Sequence, residues 1–131
     1  MMVQVTGLGF DKQQRLLTPK DFSPVFNQGG MKIHQSHLLF FVKVRTEGAV
    51  SRLGLAVTKK KVKRAHERNR IKRLTREYFR LHQHELGMAV DMVLTVKQSP
   101  EPLTNAEIYQ QLALAFGVMK RKLGVASAKA V

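Results

Sequence analysis

Apolar positions recur along the chain with two different periods. Over residues 38–45 they alternate: Leu38, Phe40, Val42 and Val44 form one apolar face, and Leu39, Phe41, Lys43 and Arg45 form the other. A period of two is the signature of a strand. Residues 53–58 alternate in the same way, with Leu53, Leu55 and Val57 directed inward and Gly54, Ala56 and Thr58 opposite. The turn-like Thr46-Glu47-Gly48 lies between the two runs, so they are expected to pair as antiparallel neighbours. Residues 31–34 read as a short strand. Residues 90–97 read as a fourth, closed by Ser99-Pro100-Glu101-Pro102.

The other period is helical. Thr18-Pro19-Lys20-Asp21 opens a short helix, with Thr18 placed as N-cap, Pro19 at the first helical position and Asp21 able to return a capping bond. Phe22, Val25 and Phe26 share one face of it, and Asn27-Gln28-Gly29-Gly30 ends it. Residues 65–86 carry the longest helical pattern, with Ile71, Leu74, Tyr78 and Leu81 directed at the sheet and Gly87 as the stop. A last helix over residues 104–122 places Ile108, Leu112, Ala115, Met119 and Leu123 on one stripe. Residues 1–17 lack periodicity and read as an arm from which Phe10, Leu16 and Leu17 can dock. Residues 1–9 and 124–131 are expected to be flexible. The order α-β-β-β-α-β-α predicts an α+β sandwich over residues 1–131, a four-stranded sheet with helices packed on it.

Charge changes the picture. The 131 residues hold 23 Lys and Arg against 9 Asp and Glu, a net charge of +14. Self-repulsion of that size points to a polyanionic partner, with nucleic acid ahead of an anionic membrane surface. The absence of cysteine removes disulfides, thiolate metal sites and a cysteine nucleophile. No apolar run reaches the roughly 18 residues of a membrane span, and the N-terminus does not read as a secretory signal. A cytoplasmic protein is expected.

Eleven basic residues fall between Lys59 and Arg80, opposed only by Glu67 and Glu77. Arg68, Lys72, Arg76 and Arg80 follow one another at four-residue spacing, and Asn69, Arg73 and Arg76 make an adjoining row. Like charges on successive turns cost a few tenths of a kcal/mol per pair. An ordinary solvated face interleaves acids with bases, and this one barely does. Arginine dominates after residue 64, which suits forked bonding to phosphates. On the strand over residues 38–45, Phe41 sits beside Lys43 and Arg45, with the small residues of the neighbouring strand expected to leave an open floor next to it. Such an aromatic can stack an unpaired base, worth about 1–3 kcal/mol. It can equally pack under the first helix, and the same two readings apply to Phe22 and Phe26.

Other signals fail. His66-Glu67-Arg68-Asn69-Arg70 begins like a zinc-protease helix but carries Arg70 where the second histidine belongs. His82 and His84 are two apart and diverge on a helix, and His34 and His37 have no acidic partner in sequence. No metal site is assigned, and no nucleophile motif or phosphate-binding glycine loop appears.

The stretch Arg68-Asn69-Arg70-Ile71-Lys72-Arg73-Leu74 resembles the R-N-R motif of bacterial ribonuclease P proteins. Leu53-Gly54-Leu55-Ala56-Val57-Thr58-Lys59-Lys60 before it and Arg76-Glu77-Tyr78-Phe79-Arg80 after it match too, as do Arg15-Leu16, Asp21-Phe22 and Val25-Phe26 upstream. The stretch from Lys61 to Glu67 departs from members with a shorter, glycine-containing connection. The resemblance spans roughly residues 10–122 and implies the same element order, with a left-handed β-α-β crossover. It implies a subunit that binds the catalytic ribonuclease P RNA and the single-stranded 5′ leader of precursor tRNA. It implies that the RNA performs the hydrolysis with Mg²⁺ held mainly by the RNA, and that the protein contributes no catalytic residue. Carried over by position, Lys59, Lys60, Arg64, Arg68, Asn69, Arg70, Lys72, Arg73 and Arg76 would contact catalytic RNA or substrate. Phe22, Phe26 and Phe41 would line the leader cleft. No membrane or DNA partner is expected, and a protein homo-oligomer is not required. The rival classes are a ribosome-associated RNA-binding protein, a DNA-binding domain reading the major groove, and a membrane-surface protein.

Overall fold

The computed structural model describes residues 14–16, 19–28, 30–45 and 50–124. Among these residues five strands form one mixed sheet: β1 (Arg15–Leu16), β2 (Met31–His34), β3 (Leu38–Val44), β4 (Arg52–Ala56) and β5 (Val90–Val96). Three α-helices accompany them: α1 (Pro19–Gln28), α2 (Ala65–His82), which runs into a 3-10 turn at Gln83–Leu86, and α3 (Asn105–Lys122). The α+β class and the alternation of elements follow the sequence pattern.

Two expectations are corrected. The sheet has five strands rather than four, because β1 adds two residues parallel to β4, with Arg15 opposite Leu53 and Leu16 opposite Gly54. Two residues are too few to show alternation. What draws Leu16 in is the missing side chain of Gly54, whose built Cβ would come within 3.0 Å of Leu16 Cβ. The second correction is strand order, β1-β4-β5-β3-β2. β3 and β4 do not pair; β5 lies between them, antiparallel to β3 and parallel to β4. Six of its seven residues are buried. A strand covered on both faces gains most from a central position with neighbours on both sides, whereas β2, with half its residues exposed, suits an edge.

One face of the sheet carries the main core. Phe40, Met92, Leu94, Ile71, Leu74 and Phe116 belong to it, beneath α2 and α3. The other face carries a smaller cluster of Leu16, Val25 and Val93, with Phe22, Phe41 and Ala56 packed against it. Leu16 therefore docks as expected, while Phe10, Leu17, the Thr18 cap, Gly29, the 46–48 turn and most of both terminal segments lie outside the described residues.

Along α2 the buried positions are Ile71, Leu74, Thr75 and Phe79, and Leu81 is 42% exposed. Phe79 and Leu81 stand roughly 200° apart around the helix, so only one can face inward. The 3-10 turn ends on Gly87 in the left-handed conformation, φ 78°, which glycine adopts without strain. α3 opens with a capping box: Thr104 Oγ1 accepts from the Glu107 amide at 3.1 Å, and Glu107 Oε1 accepts from the Thr104 amide at 2.8 Å.

Candidate nucleic-acid interface

The strand register arranges the α1-bearing face in rows. Lys43, Asp91 and Arg52 are cross-strand neighbours at one end. The next row is Lys32, Phe41, Val93 and Gly54, and the one after it His34, Leu39, Thr95 and Ala56. Beyond that, β5 runs on to Lys97 and β4 to Thr58 and Lys59, all exposed.

α1 sits on the second row. A Cβ built on Gly54 would come within 2.7 Å of Phe22 Cε1, so the ring rests directly on the glycine backbone. The expected open floor beside Phe41 is therefore filled at Gly54 by Phe22. Phe26 meets Phe41 edge-on at 4.8 Å and Phe22 at 6.3 Å between centroids. Lys32 Nζ lies 5.6 Å from the centre of the Phe41 ring, within cation–π range. The three phenylalanines thus come together. Phe22 and Phe41 are partly buried, and Phe26 is 37% exposed. The third row is the open part: His34 is exposed, and Leu39, Thr95 and Ala56 are partly so.

Sequence reasoning missed the first row's ion pair. Arg52 donates Nε to Asp91 Oδ1 at 2.8 Å and Nη2 to Oδ2 at 2.7 Å, a forked pair on a buried carboxylate. Arg45 Nε lies 3.7 Å from the same carboxylate. The hydrogen bond to Asp91 raises the Arg52 guanidinium above its ordinary value, against the opposite pull of partial burial. The available signal was Asp91 itself, the one charged residue in a strand that is apolar apart from Thr95.

The basic residues fall on a turn and a helix. After β4 the chain closes on itself, with the amides of Lys61 and Val62 both donating to Thr58 O, and the fully buried Val62 anchors the turn. Lys59, Lys60, Lys61 and Lys63 are exposed around it, and exposed Arg64 is the residue before α2. On α2, Asn69 and Arg73 are exposed, and Lys72 and Arg76 are half-buried. The two arginines of the motif differ from these. Arg68 Nη1 donates to Val62 O at 2.8 Å and Lys63 O at 2.9 Å. Arg70, 18% exposed, donates Nε to Glu67 at 3.0 Å and Nη1 to Asn105 Oδ1 at 2.7 Å, and its Nη2 reaches Pro100 O at 3.3 Å. Both are tied into their own protein.

The histidines stay apart from one another as ligands. His82 stacks on Tyr78 at 4.0 Å and bonds Glu85 at 2.9 Å, and His66 lies 3.4 Å from Glu67. His37 joins Ser36 and Gln111, and Lys97 reaches His34 at 3.4 Å. Among the described residues no three His, Asp or Glu side chains converge.

A family model described as Ribonuclease P matches residues 10–120. The Ribonuclease P protein component of Acinetobacter baylyi is 47% identical over 118 residues, covering 90% of this chain and 88% of that protein. The component from Proteus mirabilis is 47% identical over 105 residues, covering 80% and 86%. Among solved structures, the RNase P protein of Staphylococcus aureus is similar at a TM-score of 0.73 and 26% identity, covering 80% of this chain and 94% of that one.

Proposed function

The chain belongs to the ribonuclease P protein family, and on that premise we propose that it binds the catalytic RNA through α2 and the preceding turn and holds the precursor-tRNA leader on the α1-bearing sheet face. The observation that carries the leader assignment is the row structure of the sheet. Phenylalanines converge over one row, the next row is exposed or part-exposed, and cations stand beyond it. Single-stranded RNA needs those features together, π-faces for bases and cations for the backbone. Duplex reading would need a helix in a groove or contacts along the minor groove.

In this reading the RNA carries the chemistry together with the Mg²⁺ it holds, and the chain supplies no catalytic residue. The protein's contribution is positional and electrostatic. Asn69, Lys72, Arg73 and Arg76, with Lys59, Lys60 and Arg64, offset the repulsion between two polyanions, and each phosphate contact releases counterions. Holding the leader favours precursor over mature tRNA, which lacks it, as a difference of affinities.

The test is cleavage of a precursor tRNA by bacterial ribonuclease P RNA at low Mg²⁺, with and without the chain. The expected result is accurate 5′ maturation only when both are present, and its loss when Arg73 and Arg76 are changed to Glu. A chain that binds RNA but leaves the ribozyme unaffected at every Mg²⁺ concentration would overturn the reading.

A further inference from the structure

Where the basic turn meets the segment after β5, the surface opens into a cleft of about 450 Å³, within the range of small-ligand sites. Lys60, Lys61, Lys63 and Arg64 line one wall, and Ser99 and Glu101 line the other. One carboxylate therefore faces four cations. Glu101 Oε1 lies 3.9 Å from Arg64 Nε across the opening, and Lys61 Nζ reaches over to Lys97 O at 3.4 Å.

The two motif arginines explain how a cleft with so much like charge keeps its shape. Arg68 binds the carbonyls of Val62 and Lys63, which belong to the first wall. Arg70 binds the carbonyl of Pro100 and the side chain of Asn105, which fix the second. The backbone acceptors that would repel an anion are thereby engaged by guanidinium groups from the helix side. What remains around the opening is the charge of four cationic side chains against the single carboxylate of Glu101, a net positive excess. Three lysines provide charge without a planar fork, which suits a tetrahedral oxyanion approached from several directions. The lining offers no aromatic ring for a base.

We propose that this cleft binds a phosphodiester group of RNA, and that Arg68 and Arg70 are positioning residues that hold its two walls rather than RNA ligands. The naming of RNA rests on the proposed function; the preference for a phosphate oxyanion does not. The site joins residues of the turn with residues 99–101, which sequence reasoning read only as the end of a strand.

The experiment uses the full chain in two arms. In the first, inorganic phosphate is titrated and backbone amides are followed by NMR. Shifts are expected at residues 60–64 and 99–102, and should vanish in a K61A/K63A double variant, whose side chains are exposed and whose fold should be intact. Arg70→Lys keeps the charge but cannot span Asn105 and the Pro100 carbonyl, so it should also weaken the phosphate response. A wild-type response in either variant would overturn the corresponding half of the proposal.

In the second arm, affinity is measured against salt for catalytic RNA alone and for precursor tRNA on the assembled enzyme. The double variant should lose about tenfold in affinity and about one unit of salt slope toward whichever RNA supplies the phosphate. An Arg121→Ala/Lys122→Ala control, roughly 27 Å away along α3, should lose neither. Equal losses in both pairs would mean diffuse charge and no site. Localised phosphate shifts in a chain that fails to activate the ribozyme would leave the cleft standing and remove the ribonuclease P reading. Activation with a double variant indistinguishable from wild type would remove the cleft alone.

Discussion

The two faces of the sheet are finished differently. Beneath α2 and α3 the strands β2 to β5 direct large apolar residues into one continuous core, with Phe40, Phe79 and Phe116 essentially sealed. On the opposite face a ten-residue helix covers part of the sheet, three residues make up the sealed part of the cluster, and the aromatic rings around them remain partly open. The first face spends its hydrophobic residues on stability. The second keeps aromatic surface in contact with water, which costs stability and is useful only if something else comes to cover it.

Four substitutions would break or sharpen that contrast. The largest effect is expected from Phe79→Ala in the sealed core, a loss of about 3–5 kcal/mol read as a shifted denaturant midpoint. A loss under about 1 kcal/mol would mean that the core is looser than it is drawn. Next is Gly54→Ala, whose new methyl would stand 2.7 Å from Phe22 Cε1 and 3.0 Å from Leu16 Cβ. The ring must move, at about 1–3 kcal/mol, and leader binding should fall with it. Phe26→Ala should separate the two properties. Stability should drop by no more than about 1.5 kcal/mol, since the ring is already partly exposed. Discrimination of precursor from mature tRNA should lose about 1–3 kcal/mol. A large stability loss with unchanged discrimination would make Phe26 a core residue and nothing more.

The smallest effect lies behind the main core and is read through pH. Partial burial pushes the Glu85 carboxyl up, but hydrogen bonds from His82 and Lys120 outweigh it, so the group sits below its ordinary value of 4.5. A lowered carboxyl stabilises the fold above its unfolded value and loses that contribution as pH falls through the folded one. Stability should therefore decline below about pH 4.5, and Glu85→Gln should flatten the decline by a few tenths of a kcal/mol, because the group is solvent-screened. An unchanged acid profile in the variant would show that the pair contributes nothing.

Much of this was legible from periodicity. β3 alternates from Leu38 to Lys43, although Val44 at its end is exposed. Gly87 stops the long helical segment, and α3 is capped by Thr104 as its stripe requires. β4 does not alternate in burial, because Gly54 is covered as well as Leu53. What stayed hidden was long-range. Nothing local to residues 38–58 reveals that β5 will separate two strands joined by a turn, because that preference arises only when both faces of β5 are covered. The site was legible to the same depth. Its cations were visible as a charge run, Phe22 and Phe26 as a helical face and Phe41 by strand alternation, but their division of labour was not. Arg68 and Asn69 are adjacent in sequence, yet one is bound to carbonyls five and six residues back and the other is exposed. Arg70 bonds residues some thirty positions ahead, which no local pattern encodes.

The central place of β5 also sets an order on biosynthesis. β3 and β4 each find their principal partner in a strand that is translated after α2. At roughly 5–20 residues per second on the ribosome, the basic turn and helix emerge while both strands still present open edges and the stripe around Ile71 has nothing to cover. A nascent chain halted before Val90 is a cationic amphipathic segment beside two strands that each lack a neighbour along one edge, with the aggregation hazard that such edges carry. Synthesis of seven further residues lets the whole sheet close at once, so the proposed RNA-binding surface matures late and all together.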